Sequence, residues 1–124
     1  MLPTKVEQKK PALEINYRLK NMLDEGVNLW FGAEFNLSLR DPEFCRSGEL
    51  LNTNKLEIKD EWFKLFVEYS LDKNADLWFY PVETVSESEA GLERTYQELC
   101  LLFHWKLSLG PGQVWSVGIA LAVR

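Results

Sequence analysis

From Leu13 onward, apolar and polar residues alternate along most of the chain with a period of two. Leu13, Ile15, Tyr17 and Leu19 take one phase, and Glu14, Asn16, Arg18 and Lys20 the other. This is the pattern of a strand with one buried face. A helical phase through Ile15, Leu19 and Met22 is the competing reading of this short segment. Asp24-Glu25-Gly26 then supplies turn residues. In the next run Leu29, Phe31, Ala33, Phe35, Leu37 and Leu39 alternate with Trp30, Gly32, Glu34, Asn36 and Ser38. No helix places six apolar residues at strict alternation. The two runs predict a β-hairpin over about residues 12–39.

Arg40 to Gly48 reads as a loop, and a short strand through Leu56 and Ile58 follows. Phe63, Leu65, Val67, Tyr69 and Leu71 form the next apolar phase, opposite Trp62, Lys64, Phe66, Glu68 and Ser70. Asp72 to Asp76 is rich in turn formers, and a strand from Leu77 to Val85 resumes beyond it. Pro81 in that strand cannot donate to a ladder, which predicts an edge or a bulge. Ser86 and Glu89 have capping-box spacing and leave open a short helix near 87–98. The alternation of Leu99, Leu101, Phe103, Trp105, Leu107 and Leu109 favours a turn and a long strand instead. Gly110-Pro111-Gly112 predicts a turn, and Val114 to Val123 a last strand with small residues on one phase. Gly32 predicts a bend or a close approach.

The fold class is therefore all-β: an antiparallel meander of about seven strands, forming a small barrel or a two-sheet sandwich. Residues 1–11 read as a flexible leader and 12–124 as a single β domain. The length of 124 residues suits one domain with its own core.

Charge narrows the partners. Nineteen acidic residues against fourteen basic ones give a net charge of -5 and a pI near 4.9. Neutralising phosphates needs positive charge, so nucleic acid is not an expected partner, and neither is an anionic membrane surface. Cys45 and Cys100 are too few for a disulfide framework, and no apolar run of signal-peptide or membrane-span length occurs. The expectation is a cytoplasmic protein with reduced thiols.

Few chemistries are offered. His104 is the single histidine, and in a strand it lies too far from Cys100 to share a metal. The expectation is a structural histidine, no metal and no cofactor. Glu34 and Glu68 both fall on polar phases, and such a carboxylate pair would suit glycoside hydrolysis. Among nineteen acids a pairing of this kind arises by chance, which makes a carboxylate-dependent hydrolase the remote reading.

The tryptophans carry more information. Trp105 and Trp115 sit on apolar phases and are expected in the core. Trp30, Trp62 and Trp78 take the opposite phase, in company with Glu34, Phe66, Glu68 and Tyr80. A merely solvated face has little use for so many rings. Such a face suits an interface, since Trp and Tyr are favoured anchors, or a ligand site. The uncharged final strand would also invite pairing with another chain if left on an edge. The main expectation is a non-catalytic binding protein that self-associates, as a homodimer by default, or takes a protein partner through Trp30, Glu34, Trp62, Phe66, Glu68, Trp78 and Tyr80. The alternative is a β-barrel holding a small apolar molecule or a sugar.

Overall fold

The computed structural model describes residues 13–124. The expected leader, residues 1–11, lies outside the described residues. The strands are β1 (Leu13–Lys20), β2 (Val27–Leu37), β3 (Gly48–Asp60), β4 (Leu65–Ser88), β5 (Gly91–Leu109) and β6 (Val114–Val123). Among the described residues one 3-10 turn occurs, Pro42–Phe44, capped by Asp41. Every pairing is antiparallel, as the alternation predicted.

The strand order is β1-β6-β4-β5-β2, with β3 also pairing with β4. The path is open, so the barrel alternative gives way to a folded sheet. The fold line runs through β4. Its first part, Val67 to Leu71, pairs with β6, and its second, from Asp76 onward, pairs with β5. One layer therefore carries β1, β6 and the start of β4. The other carries β2, β5 and the rest of β4. β3 follows β4 across both layers, with register shifts between Leu50 and Lys55 where the pair bends.

Three expectations change here. The segment Asp72 to Asp76 does not break the chain into two strands. Its polar groups instead hold a bend: Asp72 Oδ1 accepts from the Gly118 N–H at 2.9 Å, and Asp76 Oδ1 from the Asn52 N–H at 3.0 Å. Asn52 takes a positive φ of 54° at that point. The described residues thus form six strands, in keeping with the expected count of about seven.

Second, β1 and β2 do not form a hairpin. β1 pairs with β6 and β2 with β5, because the intervening segment crosses from one layer to the other. Third, residues 87–98 contain no helix. Ser88 Oγ accepts from the Ala90 N–H and donates to the Gly91 carbonyl, and Gly91 takes φ 115°. The serine that caps the turn is Ser88, not Ser86, and a tight hairpin forms with only Glu89 and Ala90 between the strands.

Pro81 lies where β3 has already ended, immediately before a register shift at Val82/Glu83. Both parts of that expectation hold. From Thr84 and Thr95 out to the hairpin turn the β4–β5 ribbon is exposed on both faces.

The core fills the space between the layers. Tyr17 meets Phe31 at 5.2 Å, Phe35 meets Tyr69 at 5.2 Å, and Trp105 meets Trp115 at 5.4 Å, each pair crossing from layer to layer. Tyr69, Leu77, Leu99, Leu101 and Phe103 are fully buried, so the inward phases of β4 and β5 match the pattern. Trp105 is buried and Trp115 packs against the core, both as expected. The final strand lies between β1 and β4, paired with β1 from Val114 to Leu121 and with β4 from Ile119 to Val123.

One buried amide ties the crossover to the rest. Asn21 Nδ2 donates to the carbonyls of Glu25, Leu109 and Gly110 at 2.8, 3.0 and 3.1 Å, and its Oδ1 accepts from the Leu23 N–H. Its backbone bonds to Gln113 and Gly112 as well. The β1–β2 and β5–β6 connections are thus held by one residue. Leaving buried carbonyls unsatisfied costs about 1–3 kcal/mol. Asn21→Ala is expected to lower the unfolding midpoint by about 5–10 °C in calorimetry. Asn21→Asp keeps the shape but sets a carboxylate against three carbonyls, and should destabilise at least as much at neutral pH. Midpoints unchanged in both would exclude this role.

Candidate functional site

Three adjacent strands, β2, β5 and β4, build the outer face of the second layer. Their register aligns Gly32 with His104 and Asp76, Glu34 with Leu102 and Trp78, and Asn36 with Cys100 and Tyr80. Trp30, Glu34, Trp78 and Tyr80 therefore come together, as their shared phase suggested.

The two indoles are fixed at both ends. Trp30 Nε1 donates to His104 Nδ1 at 2.9 Å, and Trp78 Nε1 donates to Glu49 Oε2 at 2.7 Å. The rings meet edge to face, with centroids 5.4 Å apart and planes inclined by 69°. His104 lies beneath them, 4.2 Å from Trp78 and 5.5 Å from Trp30. Lys106 sets its ammonium 5.0 Å from the Trp30 centroid. Both indoles stay open to solvent, Trp30 at 54% and Trp78 at 38%, while His104 under them is 6% exposed. On the same face a Cβ at Gly32 would lie 3.1 Å from Leu102 Cδ1.

His104 is structural only in part. An indole N–H can only donate, so Nδ1 accepts, and the neutral ring carries its proton on Nε2. That Nε2 is buried with no partner. At the other end of the face Tyr80 contacts Cys100 and Glu34. The Cys100 side chain, followed by burial and the Glu34 charge, pushes the Tyr80 hydroxyl up to about 12. Burial raises the Cys100 thiol above its usual value. Cys100 thus lies neutral beneath the face.

The other three expected residues lie elsewhere. Phe66 and Glu68 point outward from the first layer, Phe66 beneath the cations of Lys59 and Arg124 and Glu68 in register with Glu57 and Ala122. Their phase is the same as that of Trp78, but the bend of β4 turns it to the opposite side of the molecule. Glu34 and Glu68 are accordingly separated by the core, and the hydrolytic pair they were to form does not exist.

Trp62 belongs to the β3–β4 turn. It is 87% exposed, and Phe63, expected in the core, is 63% exposed. Asp60 causes this. Its Oδ1 accepts from the N–H groups of Trp62 and Phe63 at 2.9 and 3.0 Å, its Oδ2 from that of Arg40 at 3.0 Å, and Lys64 closes the turn at φ 55°. The chain leaves the strand at Asp60 and lifts both rings into solvent.

Sequence reasoning missed His104 and Glu49. His104 shares the outward phase of β5, so its position opposite Gly32 was the available signal. Glu49 gave none, because it fell between the expected loop, Arg40 to Gly48, and the short strand through Leu56 and Ile58.

With the geometry established, comparison with known proteins defines the class. Residues 3–119 match the family described as alpha-amylase/4-alpha-glucanotransferase, C-terminal, and the chain belongs to that family. Among its relatives, alpha-amylase 1 of Dictyoglomus thermophilum is 33% identical over 93% of this chain and 18% of its own length. A 4-alpha-glucanotransferase of Thermococcus litoralis is 29% identical over 73% of this chain and 14% of its own. The crystal structure of 4-alpha-glucanotransferase from that organism shares the fold, with a TM-score of 0.73 at 22% identity over 91% of this chain and 16% of that one. The chain thus spans less than a fifth of these relatives. Membership overturns the expectation of a general protein-interaction module. The sugar-directed alternative fits the family better, although its barrel is replaced by a sandwich.

The Asp60 carboxyl is held below its ordinary 3.8, chiefly by the Phe63 and Arg40 N–H groups. A lowered folded-state value stabilises the native form above the unfolded value, and that contribution is lost as pH falls through the folded one. Asp60→Asn should therefore lower the unfolding midpoint most above about pH 5, and the gap to wild type should narrow below about pH 4. A gap independent of pH would rule out the charge as the cause.

Proposed function

We propose that the chain is an α-glucan-binding module, serving an enzyme that acts on α-linked glucose polymers, and that it binds through Trp30 and Trp78. The observation that carries this is the fixed, inclined indole pair on the outer face of a domain from an amylase and glucanotransferase family. Sugar rings present C–H faces that stack on aromatic rings, while their hydroxyls bond to carboxylates and amides. Glu34, Asn36 and Tyr80 supply such groups beside the indoles.

Pre-organisation favours binding. Each indole N–H is already bonded within the chain, so little side-chain freedom is left to lose on contact. The inclination also selects a linkage. A flat, extended β-linked chain suits coplanar rings, whereas a curving α-1,4-linked chain presents successive sugars at an angle. Planes 69° apart suit the curve. The Lys106 ammonium over Trp30 sits on a long stem that can swing aside to yield the ring to a sugar.

Titration of the chain with maltoheptaose in a calorimeter tests the reading. Binding is expected, with cellohexaose much weaker. Trp30→Ala and Trp78→Ala should each weaken it by about ten-fold, roughly 1.4 kcal/mol, and the double variant by more. Equal affinity for both oligosaccharides, or unchanged affinity in the double variant, would reject this face as the site.

A further inference from the structure

A second aromatic feature is independent of that face. The turn after β3 borders a cleft of about 700 Å³, walled by Trp62, Phe63, Tyr96, Arg40, Glu61 and Gln97 among others. It has no residue in common with the Trp30–Trp78 face. We propose that this cleft is a second carbohydrate subsite, with Trp62 as its stacking ring.

The turn is built to display its rings. Burying large apolar rings favours folding, yet Trp62 and Phe63 remain in solvent. A buried carboxylate with three backbone N–H donors, and a residue at positive φ, fix the turn that keeps them there.

The opposite wall is equally fixed. Tyr96 donates its hydroxyl to the Leu39 carbonyl at 2.5 Å, and the Arg40 guanidinium lies 5.3 Å from its ring centroid. Asp41 holds the base by accepting from the Glu43 and Lys59 N–H groups at 2.9 and 2.8 Å. Arg40, Glu61 and Gln97 then offer both donors and acceptors within reach of one ligand.

An aromatic wall on a fixed turn, with donors and acceptors around it, matches the amphipathic surface of a sugar. A stretch of glucan lying on Trp62 would bring its hydroxyls to those polar groups. The ligand class rests on the α-glucan reading above, whereas the location does not. Two sites on one module would also let a long polymer bind more tightly than a short one, through effective concentration.

Indole N–H resonances in a nitrogen-15 spectrum separate the two sites. In a titration with maltoheptaose, the Trp62 signal should move saturably, and should still move in the Trp30→Ala/Trp78→Ala variant. Trp62→Ala, a change at an exposed position that leaves the core untouched, should abolish cleft binding while the Trp30 and Trp78 signals still respond. Movement of Trp30 and Trp78 with Trp62 unmoved at saturation overturns the second site and leaves the first reading intact. Movement of Trp62 alone supports the cleft and rejects the face. No movement of any of the three rejects both, and equal movement with cellohexaose rejects the α-glucan assignment.

Discussion

The architecture depends on β4 remaining a single strand while belonging to two layers. A strand that changes neighbours midway must bend, and bending leaves backbone groups with no ladder partner to take them. Here acidic side chains take two of those groups. Asp72 accepts from the backbone of β6 and Asp76 from that of β3, so the two carboxylates hold the strands on either side of the fold line. Asn74 adds a side-chain bond to Asn52 at the same place. With the bend secured, the inward phases of both halves of β4 point into the space between the layers. Tyr69 from one half and Leu77 from the other share one core for this reason.

The same bend explains what was legible in the sequence. Period-two alternation identifies a strand and its two faces, and it gave the inward residues of β2, β4 and β5 correctly. It carries no information about which strand lies alongside. β1 and β2 are neighbours in sequence, but Asn21 and its bonds carry the chain between layers, so their turn residues serve a crossover and not a hairpin. Asp72 to Asp76 has the composition of a turn because a sharp bend needs the same polar side chains.

The aromatic face was partly legible for the same physical reason. Trp30, Glu34, Trp78 and Tyr80 are outward residues of strands that pair through β5, so phase and adjacency agree. Phe66 and Glu68 precede the bend, and phase alone cannot register that the strand has changed layers. Trp62 lies outside any strand, because the capping of Asp60 ends β3 before the alternation does. The residues beneath the face, His104 and Cys100, show that outward-facing side chains of a sheet can still be buried when large rings roof them over.

The outer β4–β5 ribbon, from Thr84 and Thr95 to the hairpin turn, follows a different rule from the rest of the described chain. Both of its faces meet water, so it holds together by main-chain pairing and turn geometry with little apolar surface to reward folding. Opening this arm therefore requires far less free energy than opening the sandwich, and amide protons along it will exchange with solvent long before those at its root. Because the arm and the core are energetically separate, mutations that lengthen or shorten it are nearly neutral for folding.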